Sequence, residues 1–305
     1  MEGKIMSMKE AINKYVSDGE SVYISGFTHL INFSAAHEII RQKKRDLILA
    51  RLTPDVVYDQ MVAARVAKKI IFSYLGNPGV GSLHCIRRSV EKGIPKKVEI
   101  EEYTHGSFIG AIFAGAANLP FYPSVSVKNT DLPKYNKNYA LIKNPFNDEE
   151  ITVVKPLRFD VAIIHVQRAD KMGNSQIWGL IGEQKEVAFA SKKVIISAEE
   201  IVNEDVIKRD PNRTIIPHFI VSAVVHEPWA AHPSYAQGFY DRDNEFYVSW
   251  DKISRDISET EKYLDEWIFS IENRLEYIKK LGQDKIAKLK MKYKGSGEIN
   301  YGEVS

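Results

Sequence analysis

The sequence predicts an α/β fold with a mostly parallel sheet flanked by helices, followed by a C-terminal helical extension. Three segments, 159–166, 194–197 and 221–225, are nearly continuous runs of β-branched and aliphatic residues. Such runs indicate strands that are covered on both faces, as in a parallel sheet with helices on each side. In the first hundred residues, short apolar segments also alternate with helical patterns, which is typical of consecutive βα units.

The N-terminal elements follow from local signals. Ser7 caps a predicted helix that stops at Asp18-Gly19, because a serine side chain accepts from the first helical turn and glycine favours a helix end. A strand from Val22 then runs into a turn at Gly26, and a second helix is predicted behind Ser34 as its cap. The alternation continues with strands at 47–49 and 70–74 and with helices at 58–66 and 82–92, the last capped by Ser82.

The later part of the chain is less regular. The segment 129–148 is polar and contains prolines, and we expect an insertion or a loop at a sheet edge. From Ser258 onward apolar residues recur at helical spacing, and the chain is rich in lysine after Gly282. We therefore expect an α/β domain at 1–257 and a C-terminal helix with a basic tail at 258–305. The tail is interpreted as the solvated end of an amphipathic helix, because acidic residues balance its charge elsewhere.

Composition narrows the classes of partner. The 305 residues include 42 Lys and Arg against 40 Asp and Glu, a net charge of +2, which does not favour nucleic-acid or membrane partners. The single cysteine, Cys85, excludes an internal disulfide and is expected to be a buried, inert thiol. No Cys/His cluster has zinc spacing, no apolar leader is found and no apolar run could span a bilayer. A cytoplasmic protein is predicted.

Four candidate sites lie in turns or at the carboxyl ends of predicted strands, where open α/β sheets bind ligands. They are the turn 26–28, the glycine-rich turn 76–82, the segment 101–106, and the polar loop that spans 230–234 and 238–244. Each has a structural alternative, since tight turns need glycine and a histidine such as His105 can be a satisfied structural residue. The helix predicted at 106–117 is rich in Gly and Ala and should pack closely against another element or a cofactor.

Several catalytic motifs are absent from the sequence. There is no Walker-type phosphate loop, no Gly-x-Gly-x-x-Gly, no Gly-x-Ser-x-Gly elbow and no His-Glu-x-x-His. The residues alone therefore predict a ligand crevice without a self-contained catalytic set.

A set of short motifs, in order, resembles the A subunit of family I CoA-transferases, and most closely the glutaconate branch. The motifs lie at 25–28, 77–80, 118–123, 159–165, 170–174 and 231–234. The resemblance extends from Met8 to about Gly282, and His232-Pro233-Ser234 together with the segment 240–244 is especially similar to the glutaconate branch.

The resemblance implies a sheet like that of sugar-phosphate isomerases and a hetero-oligomer of A and B subunits. It also implies that an acyl-CoA is attacked by a Glu of the B subunit, and that CoA passes to a second acid by a ping-pong route through a Glu-CoA thioester. CoA is then a substrate, and no cofactor is bound permanently. The only Glu-Asn pair, Glu272-Asn273, falls inside the predicted C-terminal helix, so this chain is expected to form the opposing wall of the pocket without supplying the nucleophile.

The candidate sites and the resemblance together assign nine residues to the substrate and CoA pocket. These are Gly26, Phe27, Thr28, Ser73, Asn77, Gly79, Glu102, His105 and His232.

Two positions depart from the glutaconate branch and leave the acid substrate open. Pro78 replaces a small hydroxyl residue, and His105 replaces an amide. A related branch hydrolyses a carbon–carbon bond in a CoA-linked steroid fragment with a Glu of the A subunit. That Glu aligns with His105, so Glu102 would have to substitute for it, and a ring-cleaving hydrolase is the second hypothesis. The third is a non-enzymatic ligand sensor on the same sheet.

Overall fold

The computed structural model describes residues 3–77 and 80–291. The strands are β1 (Ser21–Ile24), β2 (Leu47–Ala50), β3 (Ala67–Phe72), β4 (Glu99–Glu102), β5 (Tyr122–Pro123), β6 (Tyr139–Lys143), β7 (Glu150–Val154), β8 (Phe159–Ala169), β9 (Ser175–Gln176), β10 (Ser191–Ile201), β11 (Thr214–Ile216) and β12 (Ala223–His226). The α-helices are α1 (Met8–Tyr15), α2 (Phe33–Arg41), α3 (Val56–Ala63), α4 (His84–Lys92), α5 (His105–Ala116), α6 (Leu132–Tyr135), α7 (Gln184–Phe189), α8 (Glu204–Arg209), α9 (Asn244–Arg255), α10 (Ile257–Leu264), α11 (Arg274–Leu281) and α12 (Gln283–Leu289).

The main sheet is mostly parallel, as predicted. Its parallel strands follow the order β4-β3-β2-β1-β8-β10-β12, and β9 and β11 extend it in antiparallel pairs beyond the end of β8. Val22 of β1 pairs with Leu49 on one side and Val161 on the other. Strand β1 therefore lies in the middle of the sheet, and its carboxyl end faces the ends of its neighbours.

Both faces of the sheet are covered, which explains the continuous apolar runs. In β8 only Asp160 and Arg168 are partly exposed. One core cluster joins α1 to α4 to the sheet and also includes Trp250 and Ile268 from the C-terminal part of the chain. A second cluster lies on the opposite face and includes Phe108 of α5. Burial on two sides removes the polar–apolar alternation of a half-exposed strand.

Two predicted caps were wrong. Helix α2 is capped by Asn32, whose Oδ1 accepts from Ala35 N at 3.0 Å, whereas the hydroxyl of Ser34 donates to Glu227 at 2.6 Å. Helix α4 begins at His84 without a side-chain cap, and the backbone N–H of Ser82 donates to Asp251 at 2.8 Å. At Ser34 a tertiary partner takes the hydroxyl that the local pattern assigned to the helix, whereas α4 begins two residues after Ser82, which is bound to Asp251 through its backbone.

The segment 129–148 is more regular than expected. It contains α6 and β6, and β6 pairs with β7 and through it with β5 in a small antiparallel sheet. The prediction of an irregular loop was wrong because the short β6 offers little periodicity within a polar, proline-containing segment.

The C-terminal extension is helical, as predicted, but it is not one helix. A π-helical segment, Asp265–Phe269, follows α10, and α11 starts after Asn273, whose Oδ1 accepts from Glu276 N at 3.1 Å. The Glu272-Asn273 pair thus lies at a break between helices and not inside one. Helix α9 was not predicted, because its start was assigned to the polar loop that precedes it.

A buried polar cluster fastens this extension to the domain. His232 contacts Tyr277 through Nδ1 at 2.9 Å and Asp243 through Nε2 at 3.0 Å. Arg274 donates to the carbonyl oxygen of His232 at 2.7 Å, and Lys285 pairs with Asp243 at 2.9 Å. Burial lowers the pKa of His232 to about 4, so its ring is neutral at pH 7.

The lysine-rich segment is partly described. Lys285 and Lys288 both pair with Glu245, which agrees with a solvated helix end; Lys292 and Lys294 lie outside the described residues. Among the described helices none has the length and apolar character to cross a bilayer. The cytoplasmic location stays a prediction.

Helix α5 packs closely against protein, which explains its small residues. A Cβ added to Gly115 would overlap the carbonyl oxygen of Leu157, and one added to Gly110 would overlap the ring of Tyr122. The expectation of close packing is therefore confirmed at two positions.

We expect Gly115→Ala to lower the free energy of unfolding by about 1–3 kcal/mol, because the backbone of Leu157 must move. The matched control is Gly106→Ala in the same helix, where the nearest atom is the Ser126 hydroxyl at 3.1 Å. That hydroxyl needs to shift by only a few tenths of an ångström, so the control should lose much less stability than Gly115→Ala. Urea unfolding followed by circular dichroism measures both, and equal stability of Gly115→Ala and the parent would contradict the packing.

Acid should destabilise the fold through His232. Its pKa is about 4 in the folded chain against about 6.5 when exposed, so the unfolded state binds more protons as the pH falls below 6.5. The free energy of unfolding should drop by about 2 kcal/mol between pH 7.5 and pH 5 from this group. His232→Gln should reduce the slope, whereas His226→Gln, at an exposed position, should retain it. Identical slopes for the His232 variant and the parent would refute the assignment.

Candidate functional site

The chain leaves β1 through a strained turn. Gly26 has φ +125°, and a Cβ there would lie 2.7 Å from the carbonyl oxygen of Leu30. Thr28, a β-branched residue, has φ 60° and Leu30 has φ 54°. The hydroxyl of Ser234 donates to Thr28 O at 3.0 Å, and Leu30 N donates to Tyr235 O at 2.9 Å. Left-handed backbone at non-glycine residues persists only where its surroundings hold it, and it concentrates at functional sites.

The same turn carries unused donors. Within the described part of the chain, the backbone N–H groups of Phe27 and Thr28 donate to no acceptor. Phe27 is half-buried and Thr28 is exposed. Two fixed N–H groups beside a cavity can stabilise negative charge that develops on an oxygen atom.

A cavity of about 290 Å³ lies against this turn. It collects residues that follow four neighbouring parallel strands, β1 to β4, together with the polar loop that precedes α9. The lining residues are Phe27, Thr28, Ile31, Arg51, Thr53, Asp55, Gly76, Asn77, His105, Tyr235, Arg242 and Tyr247. The position agrees with the rule that open parallel sheets bind ligands beyond the carboxyl ends of their strands.

A larger, more open cleft of about 800 Å³ lies elsewhere, between α2 and the π-helical segment. Its walls mix charges of both signs, including Lys9, Arg41 and Glu272. We regard the smaller cavity as the candidate site because it adjoins the strained turn and the strand ends.

Five of the nine predicted residues lie at or beside the cavity. Phe27, Thr28, Asn77 and His105 line it, and the carbonyl oxygen of Gly26 accepts from the lining residue Arg51 at 2.6 Å. His105 is exposed at the first position of α5. Contact of these residues with substrate stays a prediction.

The other four lie elsewhere or outside the described residues. Gly79 and its neighbour Pro78 are not described. Ser73, just beyond the end of β3, donates to Leu52 O at 2.7 Å; Glu102 is exposed and its backbone oxygen accepts from Asn136. His232 belongs to the buried cluster that fastens the C-terminal extension. None of these three is among the lining residues.

Sequence reasoning did not single out Arg51 or Asp55, and it included Arg242 only as part of the polar loop 238–244. Arg51 directly follows β2, its side chain is 2% exposed, and Nη1 lies 3.5 Å from Asp55 Oδ1. Arg242 stacks on Tyr247, with its guanidinium 4.0 Å from the ring centroid. The position of Arg51 just after a predicted strand was the available signal, because the rule of strand ends applies to it as it does to Gly26.

The described residues include no group of three or more His, Cys, Asp or Glu that could hold a metal ion. Burial raises the pKa of the Cys85 thiol, so this residue is the inert thiol expected from the sequence.

Comparisons with known proteins agree with this geometry. The family described as Coenzyme A transferase matches residues 5–227. The chain is 44% identical over 282 residues to the A subunit of 3-oxoadipate CoA-transferase from Pseudomonas knackmussii, covering 92% of this chain and 99% of that protein.

Two further relatives bear on function. The A subunit of glutaconate CoA-transferase from Acidaminococcus fermentans is 33% identical over 94% of this chain and 95% of its own length. In the crystal structure of that transferase, one chain superposes with a TM-score of 0.89 and 31% identity, covering 96% of this chain and 98% of that one. The IpdA subunit of a cholesterol ring-cleaving hydrolase from Rhodococcus jostii is 26% identical over 49% of this chain and 54% of its own length.

The resemblance seen in the sequence motifs is thus confirmed over most of the chain by sequence and by structure. This chain belongs to the coenzyme A transferase family, among the A subunits of its CoA-transferases.

Proposed function

We propose that this chain is the A subunit of a heteromeric enzyme that moves CoA between an acyl-CoA and a carboxylic acid. The observation that carries the proposal is the strained turn at 25–30, which presents the unused N–H groups of Phe27 and Thr28 beside a cavity of about 290 Å³. The acids named for two relatives, 3-oxoadipate and glutaconate, each carry two carboxyl groups. We propose the same class of acid for this chain.

The cavity supports a nucleophile from a partner chain. Among the described lining residues the carboxylate is that of Asp55. Its Oδ1 already accepts from Val57 N at 3.2 Å, as the cap of α3, and faces Arg51 at 3.5 Å. A carboxylate held in this way is a poor nucleophile, so the attacking Glu is assigned to a B subunit. Both relatives are named as the A component of their transferases, which agrees with such a partner.

The proposed reaction transfers CoA in two stages, through an acyl anhydride and a glutamyl-CoA thioester. The partner's Glu carboxylate attacks the thioester carbonyl, CoA leaves as thiolate, and an acyl anhydride forms. The thiolate then attacks the glutamyl carbonyl, which releases the first acid and leaves a glutamyl-CoA thioester. A second acid reverses these steps and collects CoA, so the energy of the thioester is retained. The N–H groups of Phe27 and Thr28 stabilise the oxyanion of each tetrahedral intermediate, worth about 3 kcal/mol per well-aimed donor.

The observations support hydrolysis of a carbon–carbon bond less well than they support transfer of CoA. That reaction was expected to need a carboxylate at or near position 105, where this chain has His105. Glu102 is exposed and is not among the lining residues. The relative from that hydrolase also matches only about half of this chain.

The first test is reconstitution. The chain is expressed with a B subunit identified by co-purification, and CoA transfer is measured with varied acyl-CoA and acid. We expect parallel double-reciprocal lines, as in ping-pong kinetics, and no transfer by the isolated chain. Cleavage of a carbon–carbon bond in a CoA-linked ring substrate, with transfer of CoA to no acid, would support the ring-cleaving hydrolase, and full transferase activity of the isolated chain would refute the division between subunits.

Gly26→Ala should reduce kcat/KM of the complex by at least about 100-fold, since an added Cβ meets the carbonyl oxygens of His29 and Leu30 and displaces the turn. The matched control is Gly19→Ala, which also replaces a positive-φ glycine but meets nothing within 4 Å. The control is expected to retain kcat/KM within about threefold while losing about 1 kcal/mol of stability. Unchanged turnover of Gly26→Ala would exclude the turn from catalysis.

A further inference from the structure

The cavity is built to receive a negatively charged group. Arg51 and Arg242 both line it, against the one carboxylate of Asp55 among the described lining residues. A guanidinium keeps its charge at any physiological pH. Arg51 is almost fully buried, and its contact with Asp55 is as long as 3.5 Å. Burial acts to lower the pKa of its guanidinium, but nearby acidic groups, Asp55 first among them, outweigh burial and raise that pKa, so the site holds a stable cation that can bind a further anion.

Three buried donors at the cavity have no partner among the described residues. They are Nε of Arg51, Oγ1 of Thr53 and Nδ2 of Asn77, and all three side chains line the cavity. Leaving a buried donor unsatisfied costs about 1–3 kcal/mol, and native proteins contain few such groups. These donors give the lining residues hydrogen-bonding capacity that a ligand with acceptor atoms would use.

The size of the cavity limits what this ligand is. At about 290 Å³ it lies at the small end of ligand pockets, which suits a short acyl chain and not the nucleotide of CoA. Phe27 and Thr28, whose backbone N–H groups are unused, line the same cavity, and these donors suit the reacting carbonyl. The donors that remain can bind a second acceptor group on the same acyl chain; they belong to Arg51, Thr53 and Asn77.

We propose that Arg51 is the specificity-determining residue of the site and binds the second carboxylate of a dicarboxylic acyl group, with Thr53 and Asn77 as additional donors. The proposal rests on the proposed CoA-transferase function and adds the residues that select the acid. The carboxylate would form a charge-assisted hydrogen bond with the Arg51 guanidinium in a buried place, where such bonds are strongest. Because Arg51 also donates to Gly26 O at 2.6 Å, the bound carboxylate would steady the catalytic turn.

A purely structural role for Arg51 gives a different expectation. If Arg51 only holds Gly26, its loss harms every substrate equally. In a ping-pong cycle, kcat/KM for the acid reports only on the half reaction in which that acid collects CoA, whatever the acyl-CoA donor. The ratio of kcat/KM for a dicarboxylic acid to that for the monocarboxylic acid of equal carbon number therefore isolates the contact with the second carboxylate.

The experiment compares adipate with hexanoate, and glutarate with pentanoate, in the reconstituted complex. We expect the parent to prefer the dicarboxylic acids by at least about 100-fold, because a site built for a polar group rejects analogues that lack it. Arg51→Gln should abolish most of this preference. Arg51→Lys should lose part of it, since the charge remains but the planar fork does not. Thr53→Val, which leaves the support of Gly26 intact, should lower the preference by about 3- to 10-fold.

The matched control is Arg274→Gln. Arg274 is also a buried arginine that donates to a backbone carbonyl oxygen, here that of His232, and it does not line the cavity. It should lose stability and keep the preference. Equal losses for both acids in Arg51→Gln and an unchanged ratio in Thr53→Val would overturn the proposal. A parent complex that uses hexanoate as well as adipate would overturn it, together with the dicarboxylic class of acid, while leaving the proposed CoA-transferase activity intact; a parent that transfers CoA to no acid would remove both.

Discussion

The candidate site depends on the sharp turn that follows β1. This strand pairs with β2 and β8 in parallel, so its end is fixed at the centre of the sheet. The chain can turn back there only because Gly26 has no side chain to meet the carbonyl oxygens of His29 and Leu30. Arg51 and Ser234 then hold the turn through the carbonyl oxygens of Gly26 and Thr28. Parallel register brings the ends of β2, β3 and β4 beside it, and the cavity results from that arrangement.

The electrostatics of the cavity follow from the same constraint. To reach the carbonyl oxygen of Gly26, Arg51 must lie in the interior, where burial disfavours its charge and nearby acidic groups, Asp55 first among them, offset that cost. The contact between Asp55 and Arg51 is long, at 3.5 Å, and the same Asp55 oxygen also caps α3. An anion in the cavity would be a further partner for this buried cation. A residue that holds the catalytic turn and faces the substrate can therefore couple recognition of the acid to the geometry of the reacting centre.

Much of the fold could be predicted from the sequence, because it depends on patterns that burial imposes. The apolar runs of β8 and β10 and the glycines of α5 each have one dominant physical cause, and these predictions were confirmed. The cap of α2 failed because Glu227, distant in sequence, takes the hydroxyl of Ser34, and the cap of α4 failed because the helix begins only at His84, while Asp251 binds the backbone N–H of Ser82. In the site, Gly26 could be predicted because a glycine after a strand is a local sign of a turn. The role of Arg51 could not be predicted, because it depends on the burial of its side chain in the folded protein. His232 shows the converse, since a motif placed it in the pocket and the fold buries it against Tyr277 and Asp243.

The central claim is that this chain forms the wall that binds and polarises the acyl group while the attacking carboxylate comes from its partner. The most direct measurement loads the reconstituted complex with acyl-CoA in the absence of an acceptor acid, reduces it with borohydride, and maps the modified residue by mass spectrometry. A thioester reduced by borohydride marks the carboxylate that carried CoA. The account predicts a single modified Glu on the partner chain. A modified Asp or Glu on this chain would contradict it.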